Sequence, residues 1–331
     1  MKPTKGLSIH LGLFGVATLV AFTAATHKTE PVEGKRVEAE LWGGKPDAIE
    51  SITLTSDERI VKVTPHKDAE GRYAVVDITK TTSNAKSEDG DTDSSNVSSA
   101  KGPKQFIAVD ALEALLPALA PAKSYRSLGV LPQTRLVEYG LDKPESTLQV
   151  RISGQTHQLD IGAFTPGSSD YYVRNPATGV VTTFAAESIT RLKYGESRLI
   201  ERDLHGFKVD DVENVVVSAG GKSRKLQRIV GKPAWADLAT PTVQDETAGN
   251  WLLKVQRLKP VNFVEKPANL GTVFVRVDYN DAKRSLGYLE LYRSTGTEQK
   301  YFARTERTRW VVELPKSLVE PIDQDLGSVV K

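Results

Sequence analysis

The sequence predicts an α+β fold: an N-terminal transmembrane helix followed by two tandem, similar α+β units with antiparallel meander sheets and short helices. Three observations predict it. Residues 6–26 form an apolar run without acidic or basic residues other than His10. Period-two alternation of apolar and polar residues recurs along the rest of the chain, punctuated by turn residues and short helical stretches. A series of segments in the first half returns, in the same order, in the second.

The apolar run reads GLSIHLGLFGVATLVAFTAAT. At ~1.5 Å per residue it spans about 30 Å, enough to cross a bilayer. Lys2 and Lys5 precede it, and Glu30 and Glu33 follow it. The positive-inside rule then leaves residues 1–5 as a cytoplasmic stub and exports everything after about residue 27. A cleaved signal peptide is the rival reading, with Thr23 and Ala25 as small residues for a peptidase. The run exceeds the roughly 7–15 apolar residues usual for such peptides, which favours an anchor. Under either reading the bulk of the chain works in the periplasm, as a single-pass protein of a bacterial inner membrane if the anchor is kept. ATP-dependent and nicotinamide-dependent chemistry are disfavoured there.

Residues 27–47 read as a polar spacer, and the first unit as 48–200. AIESITLT, RIVKVTP and RYAVVDI have strand patterns. Residues 79–104 hold Val97 as their only large apolar residue and are expected to be a disordered loop. VDALEALLPALAPA is helical. Asp110 and Glu113 give a cap signal, and Leu112, Leu115, Leu116 and Leu119 line one face. Pro117 is expected to interrupt this helix and Pro121 to end it. Residues 146–184 read as strands with turns at Ser153-Gly154, Pro166-Gly167 and Asn175-Pro176, followed by a short helix at AESITRLK. The second unit, 201–331, repeats the scheme, with a helix around AGNWLLKVQRL and another at PKSLVEPI.

The internal repeat is the most informative feature. IESITLT at 49–55 matches VENVVVS at 212–218, and Tyr73 falls near Trp235. KSY at 123–125 falls near VNF at 261–263, and TLQVR at 147–151 matches TVFVR at 272–276. YYVR at 171–174 matches YFAR at 301–304, and VVTTF at 180–184 matches WVVEL at 310–314. Ile189 and Leu192 correspond to Val319 and Ile322. Seven matches in one order point to a tandem duplication.

Candidate chemistry is sparse. A net charge of +2 carries no basic stripe for nucleic acid. The absence of cysteine removes disulfides, thiolate metal sites and cysteine nucleophiles. The five histidines lack metal-ligand spacing, and no G-x-S-x-G elbow occurs. AGGKSR at 219–224 has Val216 where a phosphate loop needs glycine, and it precedes a strand pattern, so a hairpin turn is expected. DGDTD at 89–93 has Ser94 and Ala100 where a calcium loop needs glycine and glutamate. No catalytic residue, metal or cofactor is expected, and the chain is read as a non-enzyme, with a hydrolase of unrecognised site as the alternative. The possible interaction surface comprises Tyr172, Arg174, Arg304 and Trp42. Alternation puts Tyr171 and Val173 on one face of a strand, and Tyr172 and Arg174 on the other.

The stretch EYGLDKPESTLQVRISGQTHQLDIGAFTPGSSDYYVR, with its G-L-x-x-P, L-x-I-G and Y-Y-V-R elements, resembles the bacterial domain of unknown function 4340 family. LWGGKPDAIESITL resembles the family's start. The resemblance implies a single-span envelope protein, often encoded beside gliding-type ABC transporter subunits, and it supplies no catalytic residues. The second unit lacks the G-L-x-x-P element and has LELY in place of LDIG. The leading expectation is a membrane-anchored extracytoplasmic accessory protein, acting by protein–protein contact with the permease of an ABC-2-type or gliding-type transporter. The alternative is an envelope protein that binds a glycan, peptidoglycan fragment or lipid, which a deep apolar cleft between the units would favour.

Overall fold

Alternating apolar residues build two antiparallel sheets, each backed by helices. The computed structural model describes residues 38–81, 104–167, 169–267 and 269–330. The expected span 6–26, the DGDTD stretch and most of the expected loop 79–104 lie outside them. Among the described residues no helix is long and apolar enough to cross a membrane. Ala39–Lys331 form one compact unit containing both sheets.

In the first half, β1 (Ala39–Trp42), β2 (Ile49–Ser56), β3 (Arg59–Asp68), β4 (Gly71–Lys80) and β5 (Lys104–Ala108) lead into helix α1 (Asp110–Leu119). Then come β6 (Ala122–Val130), the short α2 (Gln133–Leu136), β7 (Ser146–Ile152), β8 (Gln155–Phe164), β9 (Asp170–Arg174) and β10 (Val180–Ala185). Helices α3 (Ala186–Lys193) and α4 (Gly195–Arg198) close this half. The second half has β11 (Asn214–Ala219), β12 (Lys222–Arg228), β13 (Trp235–Asp237), α5 (Glu246–Gln256) and β14 (Asn262–Val264). It continues through β15 (Leu270–Asn280), β16 (Ser285–Ser294), β17 (Tyr301–Thr305), β18 (Val311–Leu314) and α6 (Lys316–Val329).

The ten-stranded sheet has the order β1-β6-β10-β9-β8-β7-β2-β3-β4-β5, and the eight-stranded sheet β13-β12-β11-β15-β16-β17-β18-β14. Reversed and stripped of its edge strands β1 and β5, the first order becomes β4-β3-β2-β7-β8-β9-β10-β6. Strand for strand this is the path of the second sheet. Each core is its own: Ile52, Leu54, Val150 and Ile189 belong to one buried cluster, and Val215, Val217, Val277 and Val319 to the other.

Strand pairing refines the repeat. Ile161 faces Val173 as Leu291 faces Ala303, and Thr182 faces Val173 as Val312 faces Ala303. The matches YYVR/YFAR and VVTTF/WVVEL therefore hold in register. TLQVR/TVFVR does not. Leu54 pairs with Leu148, whereas its counterpart Val217 pairs with Val277, four residues beyond the expected Val273. A slip of four preserves which face each side chain points to, so alternation alone cannot detect it. Trp235 likewise takes the register position of Ala74 rather than Tyr73.

Three local expectations are corrected. Helix α1 runs through Pro117 to Leu119, because only one turn's hydrogen bond is lost this close to the end. Asp110 and Glu113 do not cap it: Asp110 pairs with Arg307 and Glu113 with Arg72. β4 persists through Lys80 and β5 begins at Lys104, so both ends of the segment expected to be disordered are strand. AGGKSR is a two-residue hairpin, with Gly220 at φ +56° and Gly221 at φ +78° between the paired residues Ala219 and Lys222.

Candidate functional site

The four residues singled out in the sequence do not form one surface. Trp42 is 6% exposed. Its Nε1 donates to the Leu119 carbonyl at 2.8 Å, and its ring stacks on His157 with centroids 5.1 Å apart. It is a core residue, and its partners are distant in sequence. Tyr172 and Arg174 do lie opposite Val173, as alternation requires. Tyr172 meets Tyr139 edge-on at 4.7 Å in a small cluster with Leu136, Leu141 and Val181. Arg174 donates twice to Asp160 Oδ2, at 3.2 and 2.8 Å. Arg304 is exposed on β17, opposite Glu290.

The family-like elements of the first half meet in space. Gly140, at φ +65°, ends the turn after α2, and a Cβ there would press on the Ala163 backbone. A Cβ on Gly162 would overlap the Tyr139 carbonyl oxygen. The G-L-x-x-P and L-x-I-G elements thus form one contact, in which Leu141 is fully buried over the outer face of β8 and β10. The second half lacks this cover. Tyr292 stands where Gly162 stands, packed with Phe302, Val311 and Leu270. Its hydroxyl donates to Glu290 at 2.7 Å, and burial together with that carboxylate pushes its pKa up to about 12. Arg276 also donates to Glu290, at 2.6 Å, and this leaves Arg304 turned to solvent.

A repeat missed in the sequence connects the other ends of the two sheets. ELWGGKPDAIESITL at 40–54 mirrors DLHGFKVDDVENVVV at 203–217, which puts His205 in the place of Trp42. The match extends the 49–55 pairing backwards at the same offset and was there to be read. His205 contacts Tyr279 at 4.8 Å and Phe207 at 4.7 Å. Its Nδ1 lies 3.1 Å from Glu306 Oε1, within hydrogen-bond distance. Glu306 covers Gly287, where a Cβ would overlap its carboxylate. Gly287 pairs with Tyr279 as His157 pairs with Val150. The stacked Trp42–His157 pair is therefore replaced by a smaller His205–Glu306 pair.

Beside this pair a cavity of about 390 Å³ opens between the sheet and α5. Its floor includes Val212, Val215, Leu252, Val255 and Leu258, all buried. Tyr279 also lines it and is 4% exposed, with its phenol pKa pushed up by burial and by the Glu306 charge. Lys208 and Lys259 stand exposed at the mouth, and Lys259 is ion-paired with Asp203.

At the joint between the two sheets Phe263 packs against both cores, beside a set of ion pairs. Arg307 reaches Glu201 at 2.9 Å and Asp110 at 2.5 Å, with 11% of its side chain and 5% of that of Glu201 exposed. Arg309, at φ +54°, donates to Asp68 at 3.2 and 3.3 Å and lies 5.1 Å over the Tyr73 ring. Burial raises the Asp68 pKa, but Arg309 and the backbone amides of Glu70 and Gly71 outweigh it and hold the group below its ordinary value. The large cleft here, about 840 Å³, is lined by charged groups such as Glu70, Arg284 and Glu306. The apolar cavity thus belongs to the second half rather than to the joint. Among the described residues no group of three or more His, Cys, Asp or Glu side chains is placed to hold a metal.

No curated protein matches the chain. One solved structure, the crystal structure of MucB in complex with MucA(peri), aligns at 9% identity over 84% of this chain and 93% of that chain. Its TM-score of 0.14 supports no fold argument. The family model for Domain of unknown function (DUF4340) matches residues 103–273, just over half of the chain. That span holds the Gly140–Gly162 contact and most of the cavity wall, and the chain belongs to this family.

Proposed function

We propose that the protein is a membrane-anchored extracytoplasmic accessory protein that acts by contact with the permease of an ABC-2-type or gliding-type transporter. In this reading residues 6–26 hold it in the inner membrane and the two sheets, products of a tandem duplication, stand in the periplasm. The observation that carries it is the cover over the first sheet. Gly140, Leu141 and Gly162 serve packing rather than chemistry, and the segment they secure leaves Val130 and Val137 outward, 69% and 62% exposed. Exposed apolar side chains beside a close-packed contact suit a partner surface. The common strand path of the two sheets and the mirrored stretches at 40–54 and 203–217 support the duplication.

The test is recovery of partners from native membranes solubilised in mild detergent, with the full chain as bait. A transporter permease is expected with the natural sequence and is expected to be lost with Val137→Asp, whose circular dichroism should be unchanged. Recovery of no membrane partner, or the same partners with Val137→Asp, overturns the reading.

A further inference from the structure

The cavity of the second half has the marks of a ligand site. Its volume, about 390 Å³, lies toward the lower end of the roughly 300–1,000 Å³ typical of small-molecule sites. The floor is aliphatic and buried, and the mouth is charged. One charged group at the mouth stands uncommitted. Among the described residues Lys208 has no ion-pair partner, while Asp203, the acid at the mouth, is engaged by Lys259.

The first half closes the same end of the fold with bulkier side chains. Trp42 takes the place of His205 and donates to the last residue of α1, and its indole stacks on His157. In the second half the indole has become an imidazole drawn aside by Glu306, and His157 has become Gly287.

We infer that the cavity takes the single acyl chain of an anionic amphiphile, with the chain among Val212, Val215, Leu252, Val255 and Leu258 and the head group at Lys208. The cavity size suits one chain rather than two. The uncommitted cation at the mouth selects an anionic head over a neutral or cationic one. A free fatty acid and a single-chain lysophospholipid share this chemistry.

The experiment uses the full chain in phosphatidylcholine nanodiscs and a diazirine-bearing palmitate, with cross-links mapped by mass spectrometry. Labelling is expected in residues 204–215 and 246–258. Filling the cavity with Val255→Trp should reduce that labelling about tenfold while the melting temperature holds or rises. Lys208→Glu, a surface change that leaves the core intact, should weaken capture about threefold. It decides the matter if the tryptophan variant does not fold. Competition by palmitate alone assigns a free fatty acid, and competition by lysophosphatidylglycerol alone assigns a lysolipid; either, or both together, supports the acyl-chain site. Labelling confined to other segments, labelling indifferent to both substitutions, or competition by neither compound overturns it.

Discussion

The first and second sheets follow one strand path but secure their exposed faces and their ends by different means. At the outer face the first half lays Leu141 across a glycine, whereas the second grows its own cover in Tyr292. At the α-helical end the first half is closed by Trp42, whereas the second keeps a small polar pair beside a cavity. The acid–arginine positions across β8–β9 and β16–β17 show the same difference. Asp160 and Arg174 bond each other, while Glu290 is held by Arg276 and Tyr292, so Arg304 faces water. A shared backbone path therefore fixes which positions oppose each other, and leaves open which side chains satisfy them.

The comparison is tested most severely at Trp42. If the indole closes the first half, Trp42→Ala should cost about 3–5 kcal/mol by the rule for large core truncations. His205→Ala, which removes a smaller side chain and one hydrogen bond to Glu306, should cost about 1–3 kcal/mol. Urea unfolding followed by circular dichroism measures both, and equal costs would break the contrast. Next comes the joint that both halves share. Arg307→Met takes the cation from Glu201, a buried carboxylate left with the backbone amides of Arg202 and Asp203, and should cost about 3 kcal/mol in the same assay. A loss under about 1 kcal/mol would mean that the joint contributes little.

Gly162→Ala should destabilise by about 1–3 kcal/mol, because the added carbon meets a backbone carbonyl that cannot turn away. At the matching place Tyr292→Phe loses only the hydrogen bond to Glu290, about 1–2 kcal/mol. Melting temperatures rank the two, and a silent Gly162→Ala would remove the packing account of the Gly140–Gly162 contact. The smallest effect concerns Asp68. Its folded pKa lies below the unfolded value of about 3.9, so its contribution is present above that pH and is lost as the pH falls through the folded pKa. Asp68→Asn should lower the melting temperature slightly at pH 6 and not at pH 2. Identical shifts at both pH values would show that the Arg309 pair carries no charge-dependent stability.

Much of the architecture was legible because strands advertise themselves by alternation and hairpins by glycine. YYVR and YFAR could be matched in register since each lies between strong apolar anchors. TLQVR and TVFVR were matched four residues out, since an even slip leaves every side chain on its face. The burial of Trp42 is not legible in the sequence because its partners, the Leu119 carbonyl and His157, lie 77 and more residues away in the chain. The cavity was invisible for a related reason. It arises from what is missing at His205 and Gly287, and absence of bulk shows only when the two halves are superposed residue by residue. The mirrored stretch at 203–217 made that superposition available.

Gly162 and the turn at Gly140 also constrain each other. While the Tyr139 carbonyl lies over β8, any side chain at position 162 meets it. Without that turn, a bare sheet face favours any residue large enough to cover it. Tyr292 is such a residue, and once it is in place a returning turn would find its seat taken. The outer face is thus covered in one of two mutually exclusive ways. A side chain that suits position 292 collides with backbone at position 162, although both occupy the same place on one strand path.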